Sequence, residues 1–355
     1  MILDVAIDGR TIIRLHNGLA LRQRDLLAGA ALFLIMLALI ILSLNVGDIH
    51  VGLTDILPVI FGQAADHDQN YAILTVRLPR IILGFMAGWS AALAGAVLQS
   101  VARNPLAEPG LFGISAGSMT MILILLAFAP AAPKAYVVLA ALGGGLAVTC
   151  VLLLLVGRGH VDGLAILLMG IAVGTVLTSV DSFLLLYLPA ELSYNLASWM
   201  AGSLFQANWE TILFFLPLIA LSIIGIVIFG AALNCYELGN HLAMALGEPV
   251  HFSRPVILFF AVLLSASSVT AVGPLSFLGI LAPQLTGFLT GATGRARLFL
   301  AALMGGNLVI AADILTRLSF GGRVSLPLGL SFTLIGVPLF LAILRLRSFY
   351  RKRQQ

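Results

Sequence analysis

The sequence predicts an all-α membrane protein of about ten transmembrane helices, with both termini in the cytoplasm. Three observations carry this prediction: 60% of the 355 residues are hydrophobic, only 10% are charged, and the mean hydropathy is +1.09. A soluble domain carries roughly a quarter charged residues, so soluble enzyme classes are excluded. The two cysteines, Cys150 and Cys235, are far apart and do not have metal-ligand spacing.

Apolar runs long enough to cross a bilayer, about 20 residues each, define the elements in order. The first run is too long for a cleavable signal peptide, and it lacks an evident small-residue cleavage site. These runs predict an N-terminal cytoplasmic segment at 1–26, a single transmembrane domain at 27–345 and a basic cytoplasmic tail at 346–355. The predicted spans are 27–46, 80–100, 111–131, 136–156, 164–188, 211–232, 254–272, 275–291, 298–317 and 328–345.

Basic residues set the orientation. Arginines before the first span place the N-terminus in the cytoplasm by the positive-inside rule, and alternation of sides places most other cations there too. The arginines against this trend are Arg77, Arg80, Arg317 and Arg323. Any one of them is read most simply as a helix-end arginine that snorkels to the headgroups. As a group they predict an outer docking surface for an acidic partner.

Asp313 supports this group, because it precedes Arg317 by four residues and so lies one helical turn away. The ion pair would either neutralise a costly charge or hold the arginine pointing outward. Arg77 and Arg80 flank Pro79, whose fixed φ limits how the two side chains can rearrange.

Two Pro- and Gly-broken segments interrupt the apolar regions, one at 104–110 and one at 272–284. Each could be an ordinary turn. Irregular backbone at membrane depth is tolerated only where protein buries it or water reaches it, and paired breaks point to a transport pathway. The predicted gate and pathway residues are Gln99, Asn104, Pro105, Leu106, Gly273, Pro274 and Phe277.

The longest cytoplasmic loop, at about 233–253, predicts a short helix from Asn240 to Leu246 bounded by Gly239 and Gly247. Such a helix is a candidate grip for a motor subunit, or else a plain surface helix. The candidate coupling residues are Leu238, Gly239, Asn240, His241, Ala243, Ala245, Leu246 and Gly247.

Catalytic motifs are absent from the sequence. The only lysines are Lys134 and Lys352, and neither lies in a phosphate-binding Gly-rich loop. The six histidines are scattered and form no metal-binding motif. We therefore expect no catalytic residue, no metal site and no bound cofactor in this chain.

Together these blocks resemble the permease subunits of bacterial ABC importers for iron–siderophores, haem and vitamin B12, the FecCD-type family. The matching pieces run in the family's order from about residue 70 to 340. They are Arg77-Leu-Pro-Arg80, Gly95-Ala-Val-Leu-Gln99, the run Asn104 to Gly117, Trp199-Met-Ala-Gly-Ser203, Leu238-Gly239 with Ala245-Leu-Gly247, Gly273-Pro-Leu-Ser-Phe-Leu-Gly279, Ala312-Asp313 with Arg317, and Pro327-Leu-Gly329.

The resemblance implies a permease of the bacterial inner membrane that moves a ferric siderophore or related chelate into the cytoplasm by alternating access. It implies a dimer of permeases on two ATPase subunits, which carry ATP and Mg, and a periplasmic binding protein that delivers the cargo. Arg77, Arg80 and Arg317 would receive acidic side chains of that protein. Asn104 and Leu106 would form part of the gate, and Leu238–Gly247 would be the coupling helix. Lipid is the other partner, and no nucleic acid is expected.

The chain departs from the family pattern at two places. It has Gln284 and Gly287 where the family usually has His and Arg, and Ser325 where an acidic residue is common. These departures favour a heterodimer with a second permease over a homodimer. Haem or vitamin B12 remain alternative cargos. A proton-coupled secondary transporter is the rival class, because Asp181 lies within a span; the simpler interpretation of Asp181 is a buried hydrogen bond between helices.

Overall fold

The computed structural model of the chain describes residues 2–5, 11–14, 20–47, 58–59, 67–156, 163–205, 207–318 and 327–352. The predicted docking residue Arg323 and the departure at Ser325 lie outside these residues.

Helices make up most of the described chain, because a backbone in lipid must satisfy its own polar groups. The longest, α2, runs without interruption from His67–Asn70 through a π-helical stretch, Tyr71–Arg77, into Leu78–Ala102. The others are α1 (Gln23–Asn45), α3 (Ile114–Phe128), α4 (Lys134–Val156), α5 (Gly163–Tyr187), α6 (Ala190–Met200), α7 (Trp209–Glu237), α8 (Asn240–Ala245), α9 (Val250–Val272), α10 (Leu278–Thr290), α11 (Gly294–Leu318) and α12 (Leu328–Lys352).

The helical membrane fold predicted from the sequence is confirmed. Within the described residues, seven helices are long and apolar enough to span a membrane: α1, α2, α4, α5, α7, α9 and α11. Three shorter apolar helices are α3, α10 and the 328–342 part of α12. These ten follow the order of the ten predicted spans; the number of true crossings and the sides of the termini stay predictions.

Two local features were not predicted. A small antiparallel sheet, β1 (Ile2–Val5), β2 (Thr11–Arg14) and β3 (Ala20–Arg22), precedes α1, with Ile2 opposite Arg14 and Ile12 opposite Arg22. The second feature is the early start of α2, which was expected at residue 80. Proline lacks a backbone N–H, yet the helix continues through Pro79 because the wider π-helical turns come directly before it.

The core is built around α2 and α11. The helix α2 packs on α9, α10 and α11, and most of its residues from Leu78 to Ala102 are buried. Gly88 of α2 faces Gly305 of α11 so closely that a Cβ on either would collide with the other's carbonyl oxygen. This small-residue contact is typical of membrane helices whose backbones approach. It fixes the position of α11 relative to α2, and the candidate functional residues described below lie near the ends of these two helices.

Candidate functional site

The first broken segment, residues 103–113, joins α2 to α3. Arg103 ends α2 in the left-handed conformation at φ 49°, and Asn104 Oδ1 then accepts the Leu106 N–H at 2.9 Å. This side-chain turn holds Leu106 outward, with 43% of its surface exposed. The structure therefore places the predicted gate residues Asn104, Pro105 and Leu106 in one fixed turn.

The second broken segment, residues 273–277, separates α9 from α10. Gly273 has φ 85° and lies against the Trp199 carbonyl, where a side chain has no room. Phe277 is one of two non-glycine residues with positive φ in the described chain; the other is Arg103. The break explains why the predicted span at 275–291 is only the short helix α10. The predicted pathway residues Gly273, Pro274 and Phe277 thus form the turn itself.

The two broken segments contact each other through Glu108. Its carboxylate is buried and accepts the Phe277 backbone N–H, so it lies at the N-terminus of α10, where negative charge is stabilising. A Cβ on Gly279 would touch the Glu108 side chain, and one on Gly95 would collide with the Gly279 backbone. Sequence reasoning missed Glu108; the signal was an acidic residue in a Pro- and Gly-rich break between apolar runs.

A small cavity lies at this junction. Its volume is about 40 Å³, and its polar lining includes Glu108, Ser115, Ser265, Ser268 and Ser276. Pockets that hold small molecules typically measure about 300–1,000 Å³. This cavity is therefore too small for an iron chelate, and it is large enough for water.

Glu108 makes the stability of the fold depend on pH. It lies in the broken segment between α2 and α3, outside both helices, and burial raises the pKa of its carboxyl from 4.5 to about 7, against a smaller lowering by the Phe277 N–H. The folded state therefore keeps a proton that the unfolded state loses first. This stabilisation is complete below pH 4.5 and is lost as the pH rises through about 7.

We expect the free energy of unfolding to fall by up to about 3 kcal/mol over this range through Glu108 alone. In Glu108→Gln, which stays neutral, that part of the slope should disappear. The free energy of unfolding of both proteins is measured in detergent from about pH 4.5 to 8, and the difference between their pH slopes is the contribution of Glu108. Equal slopes for the two proteins would contradict the assignment.

Residues 238–247, which we call the coupling segment after their predicted role, contain the predicted short helix as α8, which ends one residue before the predicted Leu246. Gly239 and Gly247 bound it at φ 102° and 87°, values that favour glycine. Ala243 is fully buried and anchors the segment on the protein. His241, Ala245 and Gly247 are exposed. The exposed large apolar side chains are Leu238, Leu242, Met244 and Leu246.

Three of the predicted docking arginines, Arg77, Arg80 and Arg317, lie at the opposite end of α2 and α11. Together with the supporting residue Asp313 we call them the arginine cluster. Asp313 Oδ1 accepts from Arg80 at 2.8 Å, and Asp313 Oδ2 pairs with Arg317 at 2.9 Å. The predicted ion pair between Asp313 and Arg317 is present.

The arginine cluster also binds the C-terminal end of α1. Arg317 Nη1 donates to the Ser43 and Val46 carbonyls at 3.0 and 2.9 Å, and Arg77 Nη1 donates to the Leu44 carbonyl. The last carbonyls of a helix lack partners within it, and cations are favoured there. Arg317 is thus turned onto α1 and not outward, so the pair neutralises charge. Docking through this cluster stays a prediction, and Arg80 is its more exposed ion-paired arginine, at 24% against 14% for Arg317.

Asp181 lies in α5 and is buried at 1% exposure. The Thr120 hydroxyl of α3 donates to its carboxylate. This is the interhelical hydrogen bond that the simpler interpretation predicted.

Comparisons with known proteins agree on one family. The model of the FecCD transport family matches residues 35–346. The Fe(3+)-citrate import system permease protein YfmE of Bacillus subtilis is 32% identical over 327 residues, which cover 92% of this chain and 97% of that protein. The cobalamin import system permease protein BtuC of Halobacterium salinarum is 32% identical over 275 residues, covering 77% and 73%.

A solved structure has the same fold. It is described as an inward-facing conformation of a metal-chelate type ABC transporter, and it matches with a TM-score of 0.78 and 25% sequence identity. The match covers 89% of this chain and 98% of that one.

Proposed function

This chain belongs to the FecCD transport family, and from that premise we propose how it works and what it carries. It is a multi-pass membrane protein and a permease subunit of the ABC importer kind, as the sequence predicted. We propose that it moves a ferric siderophore or a related iron chelate across the bacterial inner membrane by alternating access.

One observation supports this mechanism best: the two broken segments pack on each other through Glu108, near the C-terminal end of α2. The coupling segment lies at the same end, since Ser100 of α2 binds Glu237, the residue directly before that segment. Irregular backbone that is buried in this way can change its path without exposing unpaired polar groups to lipid. On these grounds we assign the gate to Asn104, Pro105 and Leu106. We assign the adjoining pathway to Gln99, Gly273, Pro274 and Phe277.

The cargo is proposed from the relatives and from chemistry together. Relatives are named for Fe(3+)-citrate, iron(3+)-hydroxamate and ferric enterobactin as well as cobalamin, so chelated iron is the common case. The cavity at the break is too small for any of these. The pathway is therefore proposed to lie between this chain and a second permease subunit, in a heterodimer.

ATP and Mg are proposed to bind only on two partner ATPase subunits, and a periplasmic binding protein delivers the cargo. The exposed leucines of the coupling segment fit an apolar groove on an ATPase, because the free energy falls when a partner covers apolar side chains that would otherwise face water. We therefore expect the permease alone to hydrolyse no ATP.

The test is reconstitution of the permeases in liposomes with and without the ATPase. Leu246→Glu should cut cargo uptake at least about tenfold, because it places a charge in an apolar contact worth more than 1.4 kcal/mol. Leu289→Glu is the matched control, an exposed leucine at the C-terminal end of α10. Uptake driven by a proton gradient without ATPase would overturn the proposal and revive the secondary transporter, with Asp181 as its candidate group.

A further inference from the structure

A series of hydrogen-bonded polar side chains begins next to the coupling segment. Glu237 is the last residue of α7, directly before Leu238. Arg297, in the first turn of α11, donates from Nη1 to Glu237 Oε1, and the Ser100 hydroxyl of α2 donates to the same oxygen at 3.1 Å. Arg297 and Ser100 thus hold the end of α7 on α2 and α11.

The series of hydrogen-bonded side chains continues into the broken segments. Arg297 Nη2 donates to Gln99 Oε1 at 3.2 Å, and Gln284 Nε2 donates to the same oxygen at 3.2 Å. Gln284 Nε2 also donates to the Pro105 carbonyl at 3.1 Å. Gln99 Nε2 donates to the Gly279 carbonyl at 3.1 Å, next to the second broken segment. Gln284 thus holds the backbone of the proposed gate turn, residues 104–106.

Burial makes these bonds hard to lose. Gln99 and Gln284 are 3% and 5% exposed, so water cannot replace a broken partner. A buried polar group left without a hydrogen bond destabilises the structure. A shift of the end of α7 reaches Arg297 through its partly exposed ion pair with Glu237. Movement of Arg297 must then carry Gln99 and Gln284 along, or else the two glutamines must exchange partners together.

We propose that Glu237, Arg297, Gln99 and Gln284 form a coupling chain that transmits movement of the coupling segment to the Pro105 turn of the gate. The inference rests on the proposed function, because it needs an ATPase at the coupling segment. Glu237 and Arg297 are its new members: they are positioning residues that touch neither ATP nor cargo. Arg297 suits the role because its planar fork can bind Glu237 and Gln99 at once.

The experiment is to measure ATP hydrolysed per cargo molecule imported, in liposomes that hold the complete transporter with its ATPase and binding protein. Glu237→Gln keeps the shape of a side chain that is 36% exposed, so we expect it to fold. We expect it and Arg297→Gln each to raise the ratio at least about fivefold, the lower end of typical coupling between sites. Arg297→Lys, which keeps the charge and not the fork, should fall between them and wild type.

The matched control is Arg295→Gln, which removes a cation two residues away. Arg295 also binds α7, but through the Val227 carbonyl at 2.8 Å and not through Glu237. It should leave the ratio near that of wild type. A merely structural role for Glu237 would lower the thermal midpoint and leave the ratio unchanged.

A wild-type ratio in both Glu237→Gln and Arg297→Gln overturns the coupling chain while the proposed function stands, provided that uptake still requires ATPase. Uptake without any ATPase would instead overturn the proposed function. If Arg297→Gln fails to assemble, Glu237→Gln alone decides.

Discussion

Replacing Asp313 by alanine is expected to lower the free energy of unfolding by about 3 kcal/mol. The carboxylate is 3% exposed and pairs with both Arg80 and Arg317, so its loss leaves two guanidinium groups without a counter-charge. Removing one partner of a buried ion pair costs about 3–5 kcal/mol. The lower end applies because Arg317 keeps its bonds to the Ser43 and Val46 carbonyls. Denaturant unfolding in detergent micelles measures this difference.

Two variants separate stability from docking. Asp313→Asn keeps the side-chain shape and loses the charge, so it should show most of the destabilisation. Arg80→Gln removes the more exposed of the two ion-paired arginines, and it should weaken binding of the periplasmic protein with a smaller change in stability. If Asp313→Ala unfolds like wild type, the arginine cluster is not a structural clamp on α1. If Arg80→Gln binds like wild type at low and high salt, docking lies elsewhere.

The helices and breaks could be predicted because they depend on local sequence. Apolar runs of bilayer length give the spans, and Pro and Gly in the 104–110 and 272–284 segments cannot continue a helix. The short helix α8 was predictable for the same reason, since Gly239 and Gly247 bound it. The start of α2 was not, because nothing local to Pro79 shows that π-helical turns precede it.

Partners of polar side chains could not be predicted, because they come from distant parts of the chain. Asp313 and Arg317 are one helical turn apart and were found, whereas Arg317 meets Val46 only after folding. Glu108 was passed over because the Phe277 N–H that it binds is far away in sequence. Outward-facing docking was inferred from charge placement and from the family resemblance, and neither carries information about the carbonyls at the end of α1.

In the proposed gate turn, residues 104–106, the side chains have separate roles. Asn104 shapes the turn, since its side chain accepts the Leu106 N–H, and Leu106 presents the exposed apolar surface. Gln284 holds the backbone of the turn by donating a hydrogen bond to the Pro105 carbonyl. Loss of the Asn104 side chain should therefore loosen the backbone, and loss of the Leu106 side chain should widen the opening. Neither change touches the ion pairs or the core helices.

Asn104→Ala combined with Leu106→Ala is accordingly expected to raise passive cargo leak through the reconstituted transporter at least about tenfold, for a barrier loss of about 1.4 kcal/mol or more. Liposomes loaded with cargo and kept free of ATP measure the leak directly. Leu289→Ala is the control, since it truncates an exposed leucine at the end of α10, outside both broken segments. Each single variant should leak less than the double, because the Asn104 turn and the Leu106 side chain close the opening together. A folded double variant as tight as wild type would place the gate outside residues 103–113, and the coupling chain would then end at a structural turn.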